Sequence, residues 1–200
     1  MVHVFEKSLA VSQNPLDDDR VEKIMRSHFY GAKDFKIDWT PRNRAFEHDF
    51  EVQAYGELYL WEDKRRPRDF GDELLELVSN TTTRRPGWTF SASRVDYVLH
   101  LYPLRWVFLP GAALEKAFKK HAMDWQQEYG TKTVENQGYQ SVNVAVPTRV
   151  LRAALAECGA PICFSCRQNV GRFGSSCTVC GTRSCCAISD GEWICAKCAV

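Results

Sequence analysis

The feature that most limits what this chain can become is the placement of its cysteines: all nine stand at or beyond Cys158, and none precedes it. Two construction principles therefore meet near residue 157. Residues 1–157 carry enough Leu, Val, Phe, Tyr and Trp to close a hydrophobic core, whereas 158–200 has few large apolar side chains and needs cross-links to hold a shape. At 44% apolar and 26% charged residues, the composition is that of a soluble globular chain. No apolar run approaches the roughly 18 residues of a membrane span, and "MVHVFEKSLAVSQNPLDDD" lacks the apolar stretch and cleavage pattern of a signal peptide. The expectation is a cytoplasmic or nuclear protein in a reducing compartment, neither secreted nor membrane-bound. A net charge of +1 offers no global attraction for nucleic acid, so any such attraction must be local.

The first part reads as a mixed α/β domain. "NPLDDDRVEKIMRSHF" predicts a helix with Asn14 as N-cap, Pro15 at the first helical position, and acidic residues in the first turn. Leu16, Ile24, Met25 and Phe29 supply its apolar face. "FKIDW" is a strand, "RDFGDELLELVSN" reads as a helix through Leu74, Leu75, Leu77 and Val78, and "TTTRRPG" is a polar break. "RVDYVLHLY" and "RWVFLP" are strand-like, "ALEKAFKKHAMDWQQEY" is an amphipathic helix, "SVNVAV" a strand and "PTRVLRAALA" a closing helix. That order favours one mixed sheet flanked by helices, with an α/β domain over 1–157 and a cysteine-rich domain over 158–200.

Between the first two predicted helices lies "HDFEVQAYGELYLWEDKRR". A chain reversal at Tyr55–Gly56 makes a two-residue hairpin loop, pairing Ala54 with Glu57, Val52 with Tyr59, Phe50 with Trp61 and Asp49 with Glu62. Alternation then puts Phe50, Val52, Tyr59 and Trp61 on a core face and Asp49, Glu62 and Lys64 on the other, with Asp63 pointing away. Paired carboxylates repel unless a cation lies between them, and Mg²⁺ accepts such sparse carboxylate sites. Lys64 would orient the attacking water or neutralise phosphate charge. Arg65, Arg66 and Arg68 follow at once and would contact phosphates. Asp38 is a rival first acid. The alternative reading of Glu62 and Lys64 is a solvated salt bridge on a strand face. Trp88, Trp106 and Trp125 are expected mainly in core packing, with base stacking as their other use.

At Asp49, Glu62 and Lys64 the chain resembles the PD-(D/E)xK nuclease superfamily, with His48 in place of the proline of the family name. The resemblance implies a restriction-endonuclease-like α/β fold over about residues 15 to 150. It also implies Mg²⁺- or Mn²⁺-dependent hydrolysis of nucleic-acid phosphodiesters, with DNA the expected substrate. A glutamate on the first helix assists the metal in many members, and Glu22 is the matching position.

The tail "CFSCRQNVGRFGSSCTVCGTRSCCAISDGEWICAKC" holds three C-x₂-C units, Cys163/Cys166, Cys177/Cys180 and Cys195/Cys198, with Cys185 and Cys186 between the second and third. Such turns present thiolate pairs to tetrahedral Zn²⁺, so one or two structural zinc ions are expected, and disulfides are disfavoured in a chain with no secretion signal. Cys158 is left over. The run resembles treble-clef cross-brace fingers of the FYVE, PHD and RING type, which implies pairs one and three on one ion and pairs two and four on the other. It departs from them where Cys185 and Cys186 are adjacent. The finger would target or dock the nuclease, on DNA or on a protein partner. Two further readings stay open: an inactive DNA- or protein-binding adaptor on the same fold, and a zinc-finger interaction protein whose front domain is a scaffold.

Overall fold

The computed structural model describes residues 15–29, 31–40, 48–136 and 138–160, together with the strands 186–189 and 192–195; residues 15–17 and those two strands are described as backbone only. Helix α1 (Pro15–His28) precedes β1 (Lys36–Trp39), β2 (Phe50–Ala54) and β3 (Glu57–Arg65). Then come β4 (Asp72–Asn80), β5 (Arg85–Pro86), a 3₁₀ segment (Trp88–Arg94), β6 (Tyr97–Leu101) and β7 (Trp106–Pro110). Helix α2 (Gly111–Tyr129), β8 (Lys132–Asn136), β9 (Tyr139–Pro147) and α3 (Thr148–Glu157) complete the domain. None of the described helices is long and apolar enough to cross a membrane.

Five strands form a mixed sheet in the order β1-β2-β3-β6-β7, parallel only between β3 and β6. The other four make an antiparallel sheet, β5-β4-β9-β8. The architecture is therefore mixed α/β with helices flanking sheets, as expected, but the single expected sheet is divided in two. The reason is β4. Its leucines suggested a helix, yet Glu73, Leu75 and Leu77 are buried and the residues between them are not, a period of two that only a strand produces. Antiparallel pairing with β9 from Asp72↔Pro147 to Val78↔Val142 satisfies its backbone and overrides the helical propensity of Leu and Glu.

The β2–β3 hairpin has the predicted register, from Ala54↔Glu57 to Phe50↔Trp61. Its two loop residues both lie in the left-handed region, Tyr55 at φ 55° and Gly56 at φ 75°, as a primed turn requires. Tyrosine is a poor occupant of that conformation. Here the Asp34 carboxylate holds it, accepting the N–H of Tyr55 at 2.8 Å and of Gly56 at 2.7 Å.

Each face of the five-stranded sheet has its own core. Val21, Ile24, Met25 and Phe29 recur at helical spacing on α1 and pack on Phe50, Val52, Tyr59, Trp61, Leu99 and Phe108. Within that core Trp61 stacks between Phe50 and Tyr97. The second core joins Val98, Val107 and Leu109 of the first sheet to Leu75 and Val144 of the second. It is closed by Leu114, Phe118 and Trp125 of α2 and by Leu151 and Leu155 of α3. Because Tyr59 and Trp61 of β3 pack in one core with α1, alternate residues of that strand fall on the sheet's other face. Glu62 and Lys64 are those residues.

The zinc ligands expected at Cys163, Cys166, Cys177, Cys180, Cys185 and Cys198 lie outside the described residues. For Cys186 and Cys195 only the backbone is described: they sit opposite each other at the end of a short hairpin, β10 (Cys186–Ser189) against β11 (Glu192–Cys195).

Candidate active site

Glu62 is 7% exposed and lies between two cations. One carboxylate oxygen accepts from the Lys64 ammonium two residues along the strand, and the other from Arg94 Nη2 at 3.1 Å. Burial pushes the Glu62 carboxyl upward, but Lys64 and Arg94 outweigh it and hold the group below the ordinary carboxylate range. Lys64 is held protonated in return: burial opposes its charge, and Glu62, Asp49 and Glu76 together raise it.

Asp49 stands just beyond the hairpin ladder, whose last pair is Phe50↔Trp61. Its N–H donates to the Trp61 carbonyl at 2.8 Å, and its Oδ2 accepts the Asp63 N–H at 2.7 Å. The aspartate thus meets β3 through backbone contacts on either side of Glu62 rather than through the expected Asp49/Glu62 ladder pair. Its charge still reaches the site, where it raises Lys64 and Asp63.

Asp63 faces the other way, as alternation requires, and is tied to Arg65 at 2.6 Å; burial pushes its carboxyl up to about 6 against that pull. Arg65 also pairs with Asp18 of α1, and its side chain is 3% exposed. Arg66 is held by the Asp72 carboxylate at 2.6 Å and the Asp72 carbonyl at 3.0 Å. Two of the three arginines expected to meet phosphate are therefore spent on internal ion pairs, because Asp18 of α1, Asp63 of β3 and Asp72 of β4 lie within reach of them. Arg68 alone of the three is exposed. Glu22 pairs with Arg26 one helical turn along α1, and Asp38 pairs with Lys36 on edge strand β1. Neither contact leads to Glu62.

The residues that complete the neighbourhood come from β4 to the 3₁₀ segment. Beside Glu62 opens a cleft of about 1040 Å³, lined among others by Lys64, Glu76, Arg85, Trp88, Arg94 and Tyr139. Glu76 accepts the Trp88 N–H at 3.1 Å, and burial raises its carboxyl, with Glu62 adding repulsion. Lys64 Nζ lies 5.3 Å from the centre of the Trp88 indole, within cation–π range. The run "RRPGW", a basic pair followed at once by a rigid turn and a large aromatic, was the available signal for this wall. Its nearness to Glu62 was hidden, since it depends on the parallel β3–β6 pairing that returns the chain after Arg94 to the side of Glu62.

Two carboxylates plus water suit Mg²⁺ or Mn²⁺, which keep several waters when protein-bound. Glu62 is ionised, the state such a ligand needs. Among the described residues no group of three or more His, Cys, Asp or Glu side chains gathers as a metal cluster.

No family model and no curated protein matches the chain. Among solved structures it is similar to Hjc, a Holliday junction resolvase from the archaeal hyperthermophile Archaeoglobus fulgidus, at 15% identity and a TM-score of 0.32. The match covers 68% of this chain and 87% of that one. A likeness that distant leaves the functional reading to the site's own geometry.

Proposed function

We propose that this chain is a metal-dependent nuclease that hydrolyses phosphodiester bonds of nucleic acid, DNA in the first instance. The observation that carries the reading is the Asp49–Glu62–Lys64 neighbourhood at the edge of a cation-lined cleft: ionised carboxylate, paired ammonium and a second acid, on one strand and its hairpin partner. Asp49 and Glu62 would hold Mg²⁺ or Mn²⁺, which lowers the pKa of bound water and polarises the scissile phosphate. Lys64, kept charged by Glu62 and Asp49, would turn from Glu62 toward the charge that develops on the phosphoryl oxygens. Arg94 neutralises the opposite side of Glu62 and faces the cleft, so it is placed to receive a phosphate. Arg68, and not Arg65 or Arg66, remains to contact a strand beyond the site.

The cysteine tail fits a zinc finger that docks or targets this domain. Zinc content of the purified chain tests that, with loss on Cys163→Ser and Cys177→Ser as the expected result.

A second reading, a module that holds nucleic acid without cutting it, is favoured by one observation: both Glu62 oxygens are engaged by cations of the protein itself. The deciding experiment incubates the full chain with linear, single-stranded and branched DNA in Mg²⁺, Mn²⁺ or EDTA, beside Glu62→Ala and Lys64→Ala. Metal-dependent cutting lost in both variants is the expected outcome. Folded protein that cuts nothing in either metal would put the binding-only reading first.

A further inference from the structure

The cleft beside Glu62 is built unevenly for a phosphate-binding surface. Three cations, Lys64, Arg85 and Arg94, line it against one carboxylate, Glu76. Between them stand aromatic rings that a phosphate has no use for. Trp88 is half-buried, with Lys64 Nζ 5.3 Å from the centre of its indole, and Tyr139 is 38% exposed; both residues line the cleft.

The backbone that carries Trp88 is also well anchored. Gly87 N–H donates to Leu77 O at 3.0 Å, Trp88 N–H to the Glu76 carboxylate at 3.1 Å, and Glu76 N–H to Thr89 Oγ1 at 2.9 Å. The turn lies so close on β4 that a Cβ at Gly87 would stand 2.0 Å from the Glu76 carbonyl oxygen. An aromatic residue on so fixed a backbone has only its side-chain torsions left to order when a flat partner stacks on it.

Duplex DNA keeps its base faces inside the stack and shows a protein only phosphates and groove edges. An unpaired strand shows both phosphates and π-faces, and proteins bind it by combining a basic groove with aromatic platforms. The cleft has that combination, and Lys64 and Arg94 in its lining are the two cations paired with the proposed catalytic carboxylate.

We propose that this cleft binds an unpaired stretch of DNA, with a base stacked on the Trp88 indole, a neighbouring base on Tyr139, and the intervening phosphates on Arg85 and Arg94. The inference rests on the nucleic-acid reading of the site above and adds the substrate class: a strand that is single, or frayed from a duplex, where it passes Glu62.

The test measures binding of the full chain to a labelled single-stranded oligodeoxynucleotide and to a duplex of equal length, by fluorescence anisotropy without added Mg²⁺ or Mn²⁺, so that nothing is cut. The single strand is expected to bind about tenfold or more tighter than the duplex. Trp88→Ala should weaken single-strand binding about tenfold, Trp88→Phe should keep most of it, and duplex binding should hardly move. Because Trp88 also packs against the second core, Arg85→Ala and Tyr139→Ala, both at exposed positions, provide variants whose fold is not at risk. A duplex bound as tightly as the single strand, or single-strand affinity unchanged in both Arg85→Ala and Tyr139→Ala, overturns the proposal. The two readings fail separately: a single-strand preference without metal-dependent cutting sinks only the nuclease, and cutting of duplex without that preference sinks only the unpaired-strand cleft.

Discussion

Two buried carboxylates, Glu62 and Glu73, are each surrounded by positive or proton-donating groups, yet they serve the molecule differently. Glu73 of β4 is fully buried and has four partners. Its Oε2 meets His100 Nδ1 and the Tyr102 hydroxyl, while its Oε1 accepts from Thr148 Oγ1 at 2.8 Å and Arg105 Nη1 at 3.1 Å. Those partners come from β6, from the turn that follows it and from the first residue of α3, so one carboxylate fastens both sheets and a helix. Glu62 has two partners, its own strand neighbour and an arginine of the 3₁₀ segment, and both of those line an open cleft. Equal chemistry thus yields a clamp where every lone pair is enclosed, and a site where the partners can turn away toward something that enters.

Breaking the clamp should give the largest effect. Glu73→Ala leaves Arg105 without its buried counter-charge and His100 Nδ1 and the Tyr102 hydroxyl without their buried partner, and loss of about 3–5 kcal/mol is expected, a large part of the stability of a domain this size. Chemical denaturation with circular dichroism measures it. The clamp also has a pH signature. His100 and the donors around Glu73 overcome burial and draw its carboxyl down to about 2 from an ordinary value of 4.5. A depressed acid contributes fully above its unfolded value and loses that contribution as the pH falls toward its folded one, so the wild type should weaken between about pH 4.5 and 2. Glu73→Gln should weaken less steeply across that window.

At Glu62 the expectation reverses: little stability and much activity. Lys64→Ala or Glu62→Ala should reduce metal-dependent cutting about 10²-fold or more, the size of effect seen when one group that stabilises transition-state charge is removed. The melting temperature should shift far less than in Glu73→Ala. If both variants cut normally, the asymmetry between the two carboxylates has no functional meaning.

Next in size is the support under the cleft. Gly87→Ala forces a methyl group against the Glu76 carbonyl, and overpacking of this kind costs about 1–3 kcal/mol. Since the same turn fixes Trp88 and Glu76, indole fluorescence of the variant should change along with its stability. A variant as stable as the wild type, with an unshifted spectrum, would mean that the turn relaxes freely.

How much of this contrast could be read from the chain follows from the same residues. The β2–β3 hairpin was legible because its alternation and its Tyr-Gly loop are local, and they set the register from Phe50↔Trp61 to Ala54↔Glu57. Glu62 and Lys64 followed from that register. Arg94 and Trp88 did not, since they reach Glu62 and Lys64 only through a parallel pairing across more than thirty intervening positions, a contact with no local sequence trace. Glu73 was hidden by a different fault. "DELLEL" satisfies a helix by propensity, and only pairing with β9 makes it a strand and turns the glutamate inward. Arg65 and Arg66 read as phosphate contacts because a basic run after an acid motif is ordinarily exposed. Asp18 and Asp72, distant or unremarkable in sequence, claim them instead.

The smallest expected effect tests whether the hairpin that presents Glu62 depends on more than its own loop. Asp34 is exposed, and its carboxylate accepts the two N–H groups of the strained Tyr55–Gly56 turn; the Gly56 hydrogen bond is the chief reason its pKa lies below the usual value. Asn at 34 keeps one acceptor and removes the charge, so Asp34→Asn should cost only about 0.5–1 kcal/mol, with solvent on the loop making up the rest. Hydrogen exchange at Tyr55 and Gly56 should quicken, while exchange at Trp61, stacked deep under α1, should not. Because Glu62 directly follows Trp61, cutting should then remain near the wild-type rate. A large loss of activity in Asp34→Asn would instead mean that the turn and the site move as one unit, and that Glu62 is as tightly clamped as Glu73.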